Sequence, residues 1–300
     1  MKEAFGYLLI ATASIIWGTM GILGKLAFGY GISPTILIAL RLLISSMTIL
    51  ILIAMFKRAL FKIQKSDALK LLILGIFATA LQRITYFYAV DLTTATMAAV
   101  LFYTYPIFVT VYATLFLKEK ITSSIILAII LTLSGAGLVV KAYEPSRLNA
   151  NLFGIIFGIL SSIFFVLYFF IIKGMRNRYT NWTLILYGDT IGAVALTPII
   201  FSSLYEIGSY PQQLWLLIFS IAWFPSLLAY FLYSYALKHV ESSRGSILSV
   251  LEPVSAAIFS ATILQENFEP LQIIGVTLAL TGVILLFYKP KSQNRTAQMP

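Results

Sequence analysis

Apolar residues fall into ten long runs separated by short polar connections, a pattern that predicts an all-α polytopic membrane protein. Each run is long enough to cross a bilayer as a helix with some tilt. We number these predicted spans 1 to 10, and their limits are 4–28, 34–56, 69–88, 94–117, 121–140, 152–172, 182–204, 212–237, 243–264 and 271–288. Residues 289–300 are polar and are predicted to form a disordered cytoplasmic tail.

Lysine and arginine are distributed unevenly among the connections. With the N-terminus inside, sixteen of these residues fall on the inner side, whereas only Lys141 and Arg147 fall on the outer side. Because positive residues collect on the cytoplasmic side of membrane proteins, both termini are predicted to be cytoplasmic. The expected location is the inner or plasma membrane. This asymmetry also accounts for the net charge of +10, so no nucleic-acid partner is expected.

Span 9 carries a carboxylate and a proline at its centre, Glu252 and Pro253. A carboxylate at that depth costs about 2.5–3.5 kcal/mol and usually faces a cavity or a partner. Pro253 cannot donate a helical hydrogen bond, which predicts a kink and a free carbonyl at Ser249. Serines at helical spacing continue the polar stripe on either side of Glu252, at Ser242, Ser246, Ser249 and Ser255.

The second half of the chain repeats the first. A shift of 147 residues places Tyr86 on Tyr233 and Pro106 on Pro253, while Tyr105 takes the position of Glu252. The predicted repeats are residues 1–145 and 146–288, each with five spans, and an odd number of spans inverts the second copy. Inverted repeats are typical of transporters with a site near the bilayer midplane. The alternative is a duplication that built a stable bundle without transport.

Several motifs resemble those of the EamA-type branch of the drug/metabolite transporter superfamily. They are Trp17-Gly18, Pro106, residues 117–121, residues 235–237, residues 251–254, Gln265-Glu266 and the glycine-containing residues 275–286. The resemblance extends from about residue 6 to residue 288. It implies export or exchange of small metabolites such as amino acids, and sometimes drugs, across the inner membrane. It also implies a central cavity lined by spans 1–4 and 6–9, with spans 5 and 10 at the periphery.

Charged residues inside spans are the first candidates for a substrate site. Arg83 lies on one helical stripe with Tyr86, and a guanidinium suits a carboxylate or phosphate because its fork is bidentate. The alternative for Arg83 is an ion pair with Glu252 or Asp189 that holds the bundle together. Arg41 and Asp189 occupy equivalent repeat positions and are expected to line opposite vestibules, or to be buried structural charges. Glu252 could bind an ammonium group, carry a coupling proton or link the two repeats.

The predicted substrate-binding residues are Trp17, Arg41, Arg83, Tyr86, Tyr105, Tyr230, Ser249 and Glu252. The predicted coupling or gating residues are Pro106, Asp189, Glu252 and Pro253. On span 4, Phe102, Tyr105, Phe108 and Tyr112 are predicted to form one aromatic wall opposite the serine stripe. Gly18, Gly21 and Gly24 are predicted to allow close helix packing.

The sequence offers no support for an enzyme. It has no cysteine and a single histidine, and it contains no nucleophile–base pair, P-loop or dinucleotide fingerprint, so no metal or cofactor is expected. The favoured function is export or exchange of a small polar or zwitterionic metabolite, such as an amino acid, by alternating access. The alternatives are a cationic drug exporter and a non-transporting membrane scaffold or receptor. The expected partners are the substrate and the lipid bilayer, for a monomer or weak dimer.

Overall fold

A computed structural model describes residues 2–93, 95–145, 151–263 and 269–286, and throughout these ranges the regular structure is helical. The side chains of residues 2, 25, 90, 91, 95–97 and 260 are outside this description. The predicted tail, residues 289–300, and the motif residues Gln265 and Glu266 also lie outside the described residues. The all-α prediction is confirmed for the part of the chain that is described.

Seven helical segments in the described ranges are long and apolar enough to cross a membrane. They are Glu3–Phe28, Pro34–Phe56, Lys65–Ala89, Ala98–Leu117, Leu152–Met175, Gln212–Ala236 and Ser242–Ile263. Shorter helices cover Ser123–Val139, Asn181–Ala195 and Pro270–Leu285, and small helices at Thr197–Ser202 and Leu204–Gly208 follow the second of these. Two 3-10 turns, Arg58–Phe61 and Lys65–Asp67, connect the second long helix to the third. The chain is therefore a polytopic membrane protein.

Several helices begin where the sequence supplies a capping side chain. Ser33 accepts a hydrogen bond from the backbone N–H of Ile36 at 3.3 Å, and Pro34 follows at the first helical position. Asn151 accepts from the N–H groups of Phe153 and Gly154 at 2.9 and 3.3 Å. These bonds satisfy donors that a helix leaves without partners in its first turn.

Predicted spans 4 and 9 are both interrupted near their centres. The first consists of helices Ala95–Phe102 and Tyr105–Leu117, and the second of helices Ser242–Leu248 and Leu251–Ile263. Pro106 and Pro253 therefore lie in the first turn of a new helix, where a backbone N–H is not needed. The predicted free carbonyl at Ser249 is wrong, because the N–H of Glu252 donates to that oxygen at 3.0 Å. One helix ends and another begins at this point, so the Ser249 carbonyl keeps a hydrogen-bond donor.

Two π-helical segments occupy spans 3 and 8, at Ile76–Leu81 and Ala222–Leu228. A π turn holds one residue more than an α turn and is frequent at functional sites. Pro225 lies inside the second segment, where it cannot donate to the helix. Each segment precedes a residue that lines the central cavity, Arg83 in one case and Tyr230 in the other.

Glycines bring the helices close together at several interfaces. A methyl group on Gly135 would lie 2.5 Å from the backbone nitrogen of Ala279, so helices Ser123–Val139 and Pro270–Leu285 pack backbone against backbone. A methyl group on Gly18 would lie 2.7 Å from Cβ of Ser255, so the first helix packs closely against helix Leu251–Ile263. Gly21 and Gly24 differ from the prediction, since neither has a neighbour from another helix within 4 Å and both line the cavity.

Candidate functional site

A cavity of about 1090 Å³ lies among the helices and contains most of the predicted site. Seven of the eight predicted substrate-binding residues line it, namely Trp17, Arg41, Arg83, Tyr86, Tyr105, Tyr230 and Glu252. The cavity extends to Phe28, Lys141 and Glu269 at one end of the bundle, which we call the Lys141 end. The sequence therefore predicted the centre of the cavity but not its full extent.

Two buried arginines project from helices Pro34–Phe56 and Gln82–Leu92 into this cavity. Nη1 of Arg83 donates to the carbonyl of Thr79 at 2.7 Å, and its guanidinium carbon lies 5.0 Å from the Tyr230 ring centroid. Nη1 of Arg41 contacts the sulfur of Met20 at 3.3 Å. The Nε donor of each has no hydrogen-bond partner among the described residues. A buried guanidinium with unused donors is suited to an anionic ligand.

Neither arginine is in direct contact with a carboxylate in the described part of the chain, where the ion pairs within 4 Å involve other residues. The direct ion pair that was the alternative role for Arg83 is thus absent from this conformation. Asp189 instead accepts a hydrogen bond from Ser45 at 2.5 Å and is near enough to interact electrostatically with both arginines. Asp189 is buried and does not line the cavity. Its carboxylate offsets part of the positive charge of the two arginines from outside the cavity lining.

Glu252 lies on the cavity wall formed by helix Leu251–Ile263. Its carboxylate has no hydrogen bond or ion pair with any residue that the structure describes. The phenol groups of Tyr86, Tyr103 and Tyr105 are near enough to interact with it electrostatically. A half-buried carboxylate among aromatic rings is suited to an ammonium group or a proton.

Ser249 does not line the cavity, and its hydroxyl donates to the carbonyl of Gly245 at 3.0 Å in the preceding turn. Ser246 and Ser255 also donate to backbone carbonyls of their own segment. The hydroxyl protons of these three serines are therefore used within their own segment. Of the two predicted hinge prolines, Pro253 lines the cavity and Pro106 is buried outside its lining.

The predicted aromatic wall is divided by the break in span 4. Phe102 and Tyr105 line the cavity, and the hydroxyl of Tyr105 donates to the carbonyl of Ser246 at 3.2 Å. Phe108 and Tyr112 are 37% and 36% exposed and face away from it. Trp17 contributes a ring whose centroid lies 5.0 Å from that of Tyr230, and its Nε1 has no partner among the described residues.

Tyr103 is a cavity residue that the sequence did not indicate. It lies in the turn between the two helices of span 4, so helical spacing gives no information about its direction. Met20 and Phe165 also line the cavity and were not predicted. Gln82 lines it as well, on the predicted stripe with Arg83 and Tyr86.

The chain matches known proteins in sequence and in fold. The model of the EamA-like transporter family matches residues 4–141 and 152–288. An uncharacterized transporter of Archaeoglobus fulgidus is 30% identical over 201 residues, which cover 67% of this chain and 70% of that protein. A probable terminal-alkyne amino-acid exporter of Streptantibioticus cattleyicolor is 23% identical over 195 residues, 65% of each chain. One solved crystal structure, 14% identical, has a TM-score of 0.79 and matches 99% of this chain and 100% of its own.

Proposed function

Because this chain belongs to the EamA-like transporter family and is a polytopic membrane transporter, we propose that it exports or exchanges a small zwitterionic metabolite by alternating access. An amino acid is the substrate class that fits best. The observation that carries the proposal is the separation of charge in the cavity. Arg41 and Arg83 offer unused donors on spans 2 and 3, whereas Glu252 offers a carboxylate without a partner among the described residues on span 9.

The formal charges of this region support a solute without net charge. The two arginines are offset by Asp189 behind them and by Glu252 across the cavity. A substrate carboxylate would accept bidentate hydrogen bonds from a guanidinium, and its ammonium group would meet Glu252 and the surrounding rings. A bulky cation would gain only the second interaction. The amino-acid exporter among the relatives supports the same substrate class.

The proposed architecture is ten spans in two inverted repeats, residues 1–145 and 146–288, with both termini cytoplasmic. Two pairs of irregularities support this arrangement, since the helix breaks before Pro106 and beside Pro253 occupy equivalent positions in the repeats. The π-helical segments Ile76–Leu81 and Ala222–Leu228 form the second pair. Pro106 and Pro253 would act as hinges, and Asp189 and Glu252 in gating or coupling. The protein would work in the bilayer as a monomer or weak dimer.

The test is exchange by the purified protein in liposomes loaded with unlabelled amino acids. Radiolabelled amino acids, a nucleoside and a cationic dye are offered outside, and exchange of at least one amino acid is expected. The double variant Arg41→Met/Arg83→Met should abolish this exchange, whereas Arg58→Gln, at an exposed arginine away from the cavity, should retain it. Movement of the dye alone would replace the proposal with a cationic exporter. No flux of any compound would favour a scaffold or receptor.

A further inference from the structure

The end of the bundle opposite Lys141 contains an unusual chain reversal after helix Tyr105–Leu117. Lys118 adopts a left-handed conformation with φ of 57°, and the N–H of Glu119 returns to the carbonyl of Ala113 at 3.1 Å. Left-handed geometry costs a non-glycine residue roughly 1–2 kcal/mol. The reversal turns Glu119 back toward the bundle, where it meets helix Ser242–Leu248.

Glu119 binds the first turn of that helix with both carboxylate oxygens. Oε1 accepts from the N–H of Ser242 at 3.0 Å, and Oε2 accepts from the N–H and hydroxyl of Ser243 at 3.3 and 3.1 Å. Nζ of Lys173 donates to Oε1 at 3.2 Å and also to the hydroxyl of Ser242. The residue at the N-cap position, Glu241, makes no capping bond with its own side chain. A carboxylate that follows span 4 thus caps the helix Ser242–Leu248 and pairs with a lysine that follows span 6.

This contact is partly shielded from water, since the Glu119 and Lys173 side chains are each 16% exposed. Burial raises the pKa of Glu119, but the backbone hydrogen bond from Ser242 and the charge of Lys173 outweigh burial and hold the pKa below its usual range. The carboxylate is therefore ionised near neutral pH. Charge-assisted hydrogen bonds of this kind are about twice as strong as neutral ones.

We propose that Glu119 is the latch that holds this end of the cavity closed. It lies on the proposed first repeat, whereas Lys173, Ser242 and Ser243 lie on the second, so the repeats cannot separate here while these bonds persist. Directly behind the contact, Ser246 is completely buried and its carbonyl accepts from Tyr105. The cavity meanwhile extends at the Lys141 end to Phe28 and Glu269, whose side chains are 37% and 42% exposed. The inference rests on the proposed alternating access. In that cycle Glu119 determines which end of the cavity is open, and it does not contact the substrate.

The absence of cysteine from the chain allows a direct test with single introduced thiols. Ser246→Cys reports on the closed end, and Ala257→Cys, which lines the cavity beyond Glu252, reports on the Lys141 end. In the full-length purified protein, Glu119→Gln should raise the rate at which a water-soluble maleimide modifies Ser246→Cys by about tenfold. The same substitution should lower modification of Ala257→Cys. Glu241→Gln removes a neighbouring exposed carboxylate that pairs with Arg244 and should change neither rate.

Opposite changes at the two thiols separate a latch from a structural role, because general loosening would raise both rates. Unchanged modification of Ser246→Cys in Glu119→Gln, or a rise at both thiols, would overturn the proposal. If Glu119→Gln does not yield folded protein, Lys173→Gln weakens the same contact and should give the same opposite changes at smaller size. The modification experiment needs no substrate. A negative result for Glu119 is therefore distinguishable from a negative result for the proposed transport function.

Discussion

Replacing Arg83 with methionine gives the sharpest test of the proposed anion site. Methionine keeps an unbranched apolar chain beside Tyr230 but removes the charge and every donor. A hydrogen bond to a charged group contributes roughly 1.5–3 kcal/mol, so a bidentate contact supplies about 3–6 kcal/mol at most. Arg41 remains near the substrate carboxylate and recovers part of this. We therefore expect binding to weaken by about 2–4 kcal/mol, or roughly 30- to 1000-fold in Kd.

The same substitution has an expected effect on the substrate-free protein. Arg83 has an unused Nε donor and no direct carboxylate partner among the described residues, so its buried charge is an incompletely compensated cost. Replacing Arg83 with methionine should therefore leave the midpoint of thermal unfolding of the substrate-free protein unchanged or raise it. Loss of one member of a buried ion pair would instead cost about 3–5 kcal/mol.

The assay is thermal stabilisation by an amino acid that the liposome experiment identifies and by its carboxamide, which lacks the carboxylate. Arg83→Met should lose most of the stabilisation by the acid and retain that by the amide. Arg83→Lys, which keeps the charge but loses the fork, should fall between Arg83→Met and the parent protein. Equal losses for acid and amide, or a marked drop in the substrate-free midpoint, would refute the reasoning.

Three further predictions concern coupling, packing and pH. Because Glu252 is the proposed contact of the substrate ammonium group, Glu252→Gln should weaken amino-acid exchange in liposomes, whereas unchanged exchange with loss of proton-driven uptake would assign Glu252 to proton coupling. Gly135→Ala should destabilise the protein by about 1–3 kcal/mol in chemical unfolding. Gly137→Ala, whose new methyl would meet only one atom at 3.9 Å, should be neutral or stabilising by up to about 1 kcal/mol. The lowered pKa of Glu119 means that its stabilisation is complete above the ordinary glutamate pKa and disappears as pH falls through the lowered value. The difference in thermal midpoint between parent and Glu119→Gln should therefore be constant above about pH 5 and shrink below about pH 4.

The sequence predicted the charged part of the cavity because an ionisable residue within an apolar run is costly and needs a polar environment. Arg41, Arg83 and Glu252 all line the cavity for this reason. Helical spacing gave the wrong face for residues near a helix break, because one continuous helix was assumed on both sides of the break. That error placed Ser249 and Phe108 on the cavity wall.

Glu119 lies in the motif of residues 117–121, but its contact with the second repeat was missed for a different reason. It lies in a charged connection of a kind that topology alone explains, and its partners are distant in sequence, with Ser242 123 residues away. No local pattern reports such a contact. The ten spans, the repeat boundaries and the orientation of the termini stay predictions.

Trp17 provides an intrinsic fluorescence signal from the cavity. The chain has four tryptophans, and Trp17 alone among them lines the cavity, with an indole N–H that has no partner among the described residues. Indole emission responds to hydrogen bonding and to nearby aromatic rings, and Tyr230 and Tyr233 have centroids 5.0 Å away. With Trp182, Trp215 and Trp223 replaced by phenylalanine, the remaining fluorescence would report cavity occupancy. An unlabelled compound library could then be screened in solution, before any transport assay is available.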